Sequence, residues 1–115
     1  MNITTIEELQ QRIGKFVIFS QVDPNCNDKY ATMKLLTKIE KGWLLVDQKY
    51  KKPNSEFYGY NIWGKFSASS KKPFVRFSNG EETWSNVYLY ARDPTEQEIK
   101  QFKQMWREYL FIKKK

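Results

Sequence analysis

Between Phe16 and Ala91 the chain is a succession of short stretches rich in β-branched and aromatic residues, each cut off by turn-forming residues, and no helical periodicity interrupts them. Strands so close in sequence must pair antiparallel, because a parallel pair needs a crossover of roughly a dozen residues or more. The stretches are Phe16–Val22, Tyr30–Ile39, Trp43–Asp47, Glu56–Trp63, Phe74–Phe77 and Trp84–Ala91, which predicts about six strands. The breaks carry turn chemistry: Asp23-Pro24-Asn25-Cys26-Asn27-Asp28, Lys41-Gly42, the basic run Lys49 to Ser55, Gly64 with the polar connection Ser67 to Pro73, and Ser78-Asn79-Gly80.

Within this frame Tyr30–Ile39 and Trp43–Asp47 read as a hairpin. Met33, Leu35 and Ile39 alternate there with Thr32, Lys34 and Lys38. From Glu56 to Trp63 the residues Phe57, Gly59, Asn61 and Trp63 alternate with Tyr58, Tyr60 and Ile62, and neither parity is plainly the inside. Large aromatics fill the core of a small β domain whatever its function, and Trp43 and Trp106 are expected there.

Helix signals bracket the β region. Thr5-Ile6-Glu7-Glu8 reads as a capping box, in which the Thr5 hydroxyl meets an unpaired N–H and Glu8 reaches back to the Thr5 amide. A short helix over 5–13 comes next, with Ile6, Leu9 and Ile13 on one side and Gly14 ending it. At the other end, Asp93 as N-cap, Pro94 at the first helical position and Glu96 as the reciprocal acid start a helix over 94–112. Ile99, Phe102, Trp106 and Tyr109 form its apolar stripe, which must cover an open end or face of the sheet. The 115 residues make one domain over 1–115 of α+β class. Its expected form is a small antiparallel SH3-like or OB-like β-barrel of about six strands, with a flat antiparallel sheet carrying both helices on one side as the alternative.

The residue inventory argues against catalysis. Histidine is absent, which removes Ser-His and Cys-His nucleophilic systems and the commonest transition-metal ligand. No P-loop, Gly-x-Gly-x-x-Gly turn or nucleophile elbow occurs. The close acid pairs Glu7/Glu8, Glu81/Glu82 and Glu96/Glu98 sit at helix starts or a turn, where helix dipoles and turn geometry account for them. Cys26 is the only cysteine, which excludes an intramolecular disulfide and a cysteine-based zinc site and fits a reducing compartment; it reads as an incidental loop residue. The chain is therefore expected not to be an enzyme and to use no cofactor and no metal. No window approaches the roughly 18 apolar residues of a membrane span and no signal-peptide pattern opens the chain, so a cytoplasmic protein without a membrane partner is expected.

What remains is a mixture of cations and rings in the middle of the chain. Net charge is +7, with eleven basic and three acidic residues between Lys29 and Arg76 and nine basic and ten acidic elsewhere. The candidate binding residues are Lys49, Lys51, Lys52, Tyr58, Tyr60, Trp63, Lys71, Lys72 and Arg76. Exposed Tyr, Trp and Arg dominate protein interfaces, while cations that track phosphates beside rings that stack bases suit a single nucleic-acid strand. The expected function is a non-catalytic module that binds a protein partner, as an accessory or inhibitor protein, with single-stranded DNA or RNA binding as the alternative.

The passage Tyr88-Leu89-Tyr90-Ala91-Arg92-Asp93-Pro94-Thr95-Glu96-Gln97-Glu98-Ile99, a strand running straight into a capped acidic helix start, resembles the end of small β-barrel accessory proteins encoded by bacteriophages. The resemblance covers about a tenth of the chain and carries no functional site over. It implies a phage or mobile-element protein acting in the host cytoplasm or in the virion, with a host or virion factor as partner.

Overall fold

The computed structural model describes residues 2–42 and 56–113, the side chains of 111–113 excepted. It has α+β architecture: β1 (Asn2–Ile3), α1 (Ile6–Gln10), β2 (Phe16–Ser20), β3 (Thr32–Lys41), β4 (Tyr60–Ser69), β5 (Val75–Arg76), β6 (Thr83–Ser85), β7 (Tyr90–Arg92) and α2 (Glu96–Lys113). The sheet runs β1-β7-β2-β3-β4-β5, with β6 also on β4, and every pairing is antiparallel. Among the described residues the strand path is open, from β1 at one edge to β5 and β6 at the other. The expected strand Trp43–Asp47 lies outside the described residues; β3 takes β2 and β4 as its neighbours.

Both faces of the sheet are buried. On one, Val17, Phe19, Leu36, Ile62 and Ala91 pack with Ile6 and Leu9 of α1 and with Tyr88. On the other, Ile18, Met33, Ala68 and Phe74 pack with Phe102 and Trp106 of α2, and Phe16, Phe66 and Tyr90 join them. This explains the unbroken apolar run of β2: a strand covered on both sides has no polar parity to display.

Two bulges set which side chain goes where. Two residue steps of β3, from Met33 to Leu35, oppose three of β4, from Lys65 to Ala68, and the irregularity contains Phe66 at φ +59°. Immediately beyond, Leu36 to Lys38 on β3 opposes only Gly64 to Trp63 on β4. Each extra residue switches the parity of the side chains beyond it. Met33 therefore lies on the α2 face and Ile39 on the α1 face, correcting the single apolar side expected for them. Lys34, expected on a polar side, is only 2 % exposed.

Three further expectations change. β4 continues through Gly64 to Ser69, where a polar connection is expected. Its small side chains fit under close neighbours and their hydroxyls are used: the Val75 N–H donates to Ser69 Oγ, and Ser67 Oγ lies 3.2 Å from Thr83 Oγ1. The stretch Trp84–Ala91 is two strands, β6 and β7, rather than one. Between them Tyr88 stacks on Phe19 at 4.6 Å and the Gly59 N–H donates to Asn86 O. Cys26 is fully buried in the α2-face core, not in a solvent loop, and burial pushes its thiol up to about 12.

The helix ends obey their capping chemistry. At α1 the Glu8 N–H donates to Thr5 Oγ1, while the Glu8 carboxylate accepts from the Thr4 and Thr5 hydroxyls rather than from the Thr5 amide. Gly14 at φ +91° turns the chain after it, and its N–H donates to Leu36 O. At α2 the cap is Thr95, not Asp93: the Glu98 N–H donates to Thr95 Oγ1 and the Thr95 N–H to Glu98 Oε1. Asp93 instead takes a two-pronged bond from Arg12, at 3.1 and 3.0 Å, tying the turn after α1 to the approach of α2.

Candidate binding surfaces

The residues singled out in the sequence fall in separate places. Lys49, Lys51 and Lys52 lie outside the described residues, as does Trp43. Tyr58 and Tyr60 are half-buried, and Tyr60 packs against the α1-face core beside Ile39. Trp63, of the opposite parity, turns away from that core. Lys71 and Lys72 are exposed on the turn after β4. Arg76 is occupied: its guanidinium lies 3.7 Å from the centre of the Tyr109 ring on α2, and it donates to Ser78 O and to Asn79 Oδ1. Trp63 and Ser69 are six residues apart on β4, roughly 20 Å along a strand, so the rings and the lysines do not share one surface.

Around Trp63 the antiparallel register assembles an aromatic surface. Lys38, Trp63 and Trp84 are cross-strand partners on β3, β4 and β6. The two indoles have ring centres 6.0 Å apart, and Lys38 Nζ stands 5.4 Å from the Trp63 ring. Trp63 Nε1 donates to Glu40 Oε1 at 3.0 Å, and Lys38 Nζ pairs with Glu40 Oε2 at 3.2 Å. Those contacts hold the Glu40 carboxyl below its ordinary range, with the indole donor the larger cause. Trp63 is thus fixed on its polar edge, while Trp84 is left 47 % exposed. Cross-strand neighbours on adjoining strands approach to about 5 Å between Cβ atoms, so one indole orients the other.

Trp84 and Lys38 are absent from the residues singled out in the sequence, and the signal for them is register. Trp84 opens a stretch that reads as an apolar strand, and nothing local reveals that it pairs opposite Trp63. Val75 on β5 and Phe77 just after it are also exposed, but Val75 has the parity opposite to Arg76, which faces α2, so it does not share the face of Trp63.

At the opposite end of β4 a polar cleft of about 410 Å³ forms, lined by residues 27–29, Ser70, Lys71, Lys72, Arg92 and Glu98. Its floor is an ion pair. Arg92 Nη1 and Nη2 reach the two Glu98 oxygens at 2.9 and 3.0 Å, and the same guanidinium donates to Asn25 O and Asn27 Oδ1. The Arg92 bonds, reinforced by the Thr95 amide, lower the Glu98 carboxyl to about 2.

The third unusual group is Lys34, buried on the α1 face. Its Nζ lies 5.1 Å from the centre of the Tyr88 ring, and burial lowers its ammonium to about 8. Gly64 makes room for it: a Cβ there would lie 2.5 Å from Lys34 Cδ and 2.8 Å from the Leu35 carbonyl oxygen. The Tyr88 phenol is pushed up to about 12 by the same burial.

Among the described residues no helix is long and apolar enough to cross a membrane, and no three His, Cys, Asp or Glu side chains gather as a metal site. Comparison with protein-family models, with curated proteins and with solved structures finds no match to this chain.

Proposed function

We propose that this protein is a non-catalytic binding module that docks a protein partner on the surface formed by Trp63, Trp84 and Lys38. The observation that carries the reading is the half-exposed Trp84, set in register against a Trp63 whose own indole N–H is already bonded. A large apolar ring held in place before binding loses little rotamer freedom on docking, which is what makes Trp an interface hot spot. The titratable groups fit a binder, since Glu8, Asp93 and Glu98 are each engaged by caps or ion pairs.

In fold terms we read the sheet, bent by two bulges, as a small barrel of the SH3-like or OB-like kind left partly open. The resemblance of residues 88–99 to phage-encoded small barrels would make the partner a host or virion factor.

The test compares affinity capture by the intact chain and by a Trp63→Ala/Trp84→Ala variant of matched thermal stability. A protein retained by the first and lost by the second, and then bound by the purified chain alone, is the expected result. Identical capture by both chains overturns the reading.

A further inference from the structure

The lysine-rimmed cleft at the far end of β4 has no part in the aromatic surface, and its construction points to a ligand of its own. Its walls come from three parts of the chain: the 21–31 loop, the turn after β4 and the start of α2. Each wall is fixed. Within the loop the Asp23 carboxylate accepts from the Asn25 and Asn27 N–H groups, both at 2.9 Å, and Cys26 anchors the loop in the core. Arg92 holds the loop to α2, and the Ser70 N–H donates to Ala31 O at 2.8 Å, joining the turn to the loop.

The charges facing the cleft are unbalanced. Glu98 is neutralised by Arg92. The Asp28 oxygens are taken by the Ser20 hydroxyl at 2.5 Å and the Tyr30 N–H at 3.0 Å. Lys29, Lys71 and Lys72 are all exposed, and none forms an ion pair among the described residues. Three lysines from two chain segments thus line the cleft, and of its described carboxylates only Asp28 lacks a cationic partner to offset them. Ser70 and Asn27 add neutral hydrogen-bonding groups. Lys72 also overhangs an adjoining hollow of about 430 Å³ lined by Asn2, Asn25 and Thr95, so the polar trough continues past it.

Beside the rim stands Tyr30, 69 % exposed, with Lys29 Nζ 4.9 Å from its ring centre. An exposed ring next to unpaired cations is the pairing that nucleotides use: phosphate oxygens meet ammonium groups and a base lies on the ring. We infer that this cleft binds nucleotide phosphates, with Lys29, Lys71 and Lys72 on the phosphate oxygens and Tyr30 as the stacking platform for a base. The same chemistry is offered by a single strand and by a free nucleotide. This site is independent of the Trp63–Trp84 surface.

The test is fluorescence anisotropy of the intact chain with a labelled oligothymidylate of about a dozen nucleotides, enough to fill one small-barrel site, over a salt series. Unlabelled ATP and inorganic phosphate serve as competitors. A Lys29→Ala/Lys71→Ala/Lys72→Ala variant is expected to bind at least about tenfold more weakly. It should also show a salt dependence shallower by about two, since each phosphate contact on a single strand contributes roughly 0.7 to the slope. Tyr30→Ala should bind several-fold more weakly with the slope unchanged. Displacement of the oligonucleotide by ATP at equal concentration assigns the site to free nucleotide, and resistance to it assigns the site to a strand.

The control is Lys100→Ala/Lys103→Ala/Arg107→Ala, which removes the same charge from the exposed side of α2. It is expected to bind like the intact chain. The inference is overturned if this control loses as much affinity as the cleft variant, if the cleft variant binds like the intact chain, or if neither oligonucleotide nor ATP binds at low salt.

Discussion

The two faces of the sheet each hold a cation withdrawn from water, and they treat it in opposite ways. At the edge of the α2 face, Arg92 spends its donors on Glu98, Asn25 O and Asn27 Oδ1, and the side chains of the ion pair are 13 % and 8 % exposed. On the α1 face, Lys34 is 2 % exposed, no carboxylate among the described residues acts on it, and it lies over the Tyr88 ring. A buried charge helps a fold only when its hydrogen bonds are satisfied. Arg92 is accordingly a rivet between loop, strand and helix, whereas Lys34 is a burden that the rest of its face must carry.

The most direct way to break the contrast is to remove the α2 cover. Phe102 is 1 % exposed and packs edge-on against both Phe16 and Phe74, at 5.1 and 5.7 Å between ring centres. Phe102→Ala should cost about 4 kcal/mol, the usual range for a buried aromatic truncated to a methyl, measured by urea denaturation. A loss under about 1 kcal/mol would mean that α2 contributes little to the stability of this face.

Next in size is the rivet itself. Arg92→Ala leaves the Glu98 carboxylate buried without its partner and frees the 25–27 loop, at a cost of about 3 kcal/mol. The pH dependence comes from the Glu98 carboxyl, whose pKa is lowered from about 4.5 to about 2 by Arg92. A depressed carboxyl pKa stabilises the fold above the unfolded value and ceases to do so as pH falls through the folded one. Melting temperature should therefore drop between pH 4.5 and 2. In Glu98→Gln that part of the drop should be missing, and an unchanged pH profile would mean that the ion pair adds nothing to acid sensitivity.

Lys34 should behave in the opposite sense. Its pKa is lowered from 10.5 to about 8, so the fold disfavours its charged form. The penalty is fully present below pH 8 and fades as pH rises towards 10.5. Lys34→Met keeps an unbranched side chain, one atom shorter, and drops the charge. It should raise stability at neutral pH by on the order of 2 kcal/mol and flatten the rise between pH 8 and 10.5. A variant that is destabilised instead would show that the ammonium over Tyr88 is a favourable contact.

Lys34 also marks where the sequence stops being readable. The elements themselves are legible: turn clusters bound the strands, and the apolar stripe of α2 identifies Ile99, Phe102, Trp106 and Tyr109 as its packing side. Which way each strand residue points is not. Alternation assigns Lys34 to water because it assumes one wet face, whereas here both faces are covered and the extra β3 residue between Leu36 and Lys38 switches the parity beyond it. The α2 cap fails for a narrower reason. Asp93-Pro94 and Thr95-x-x-Glu98 both satisfy capping chemistry, and the competition is decided by Arg12, which is remote in sequence and takes Asp93. At the binding surfaces, sequence supplies Trp63, Lys71 and Lys72 as candidates, but only cross-strand register adds Trp84 and Lys38.

The smallest effect on stability belongs to the residue on which the proposed function most depends. Trp84 shares a ladder with Trp63, yet nearly half of its surface is in water and its one ring neighbour among the described residues, at 6.0 Å, is itself held by Glu40. Trp84→Ala should therefore change unfolding free energy by less than about 1 kcal/mol, close to the range of exposed positions, although it deletes the largest of side chains. Denaturation of the variant in parallel with Phe102→Ala makes the comparison direct, since both replace a ring by a methyl. A loss approaching that of Phe102 would mean that Trp84 belongs to the core and is not free to meet a partner, whereas a near-neutral result leaves the indole available for binding.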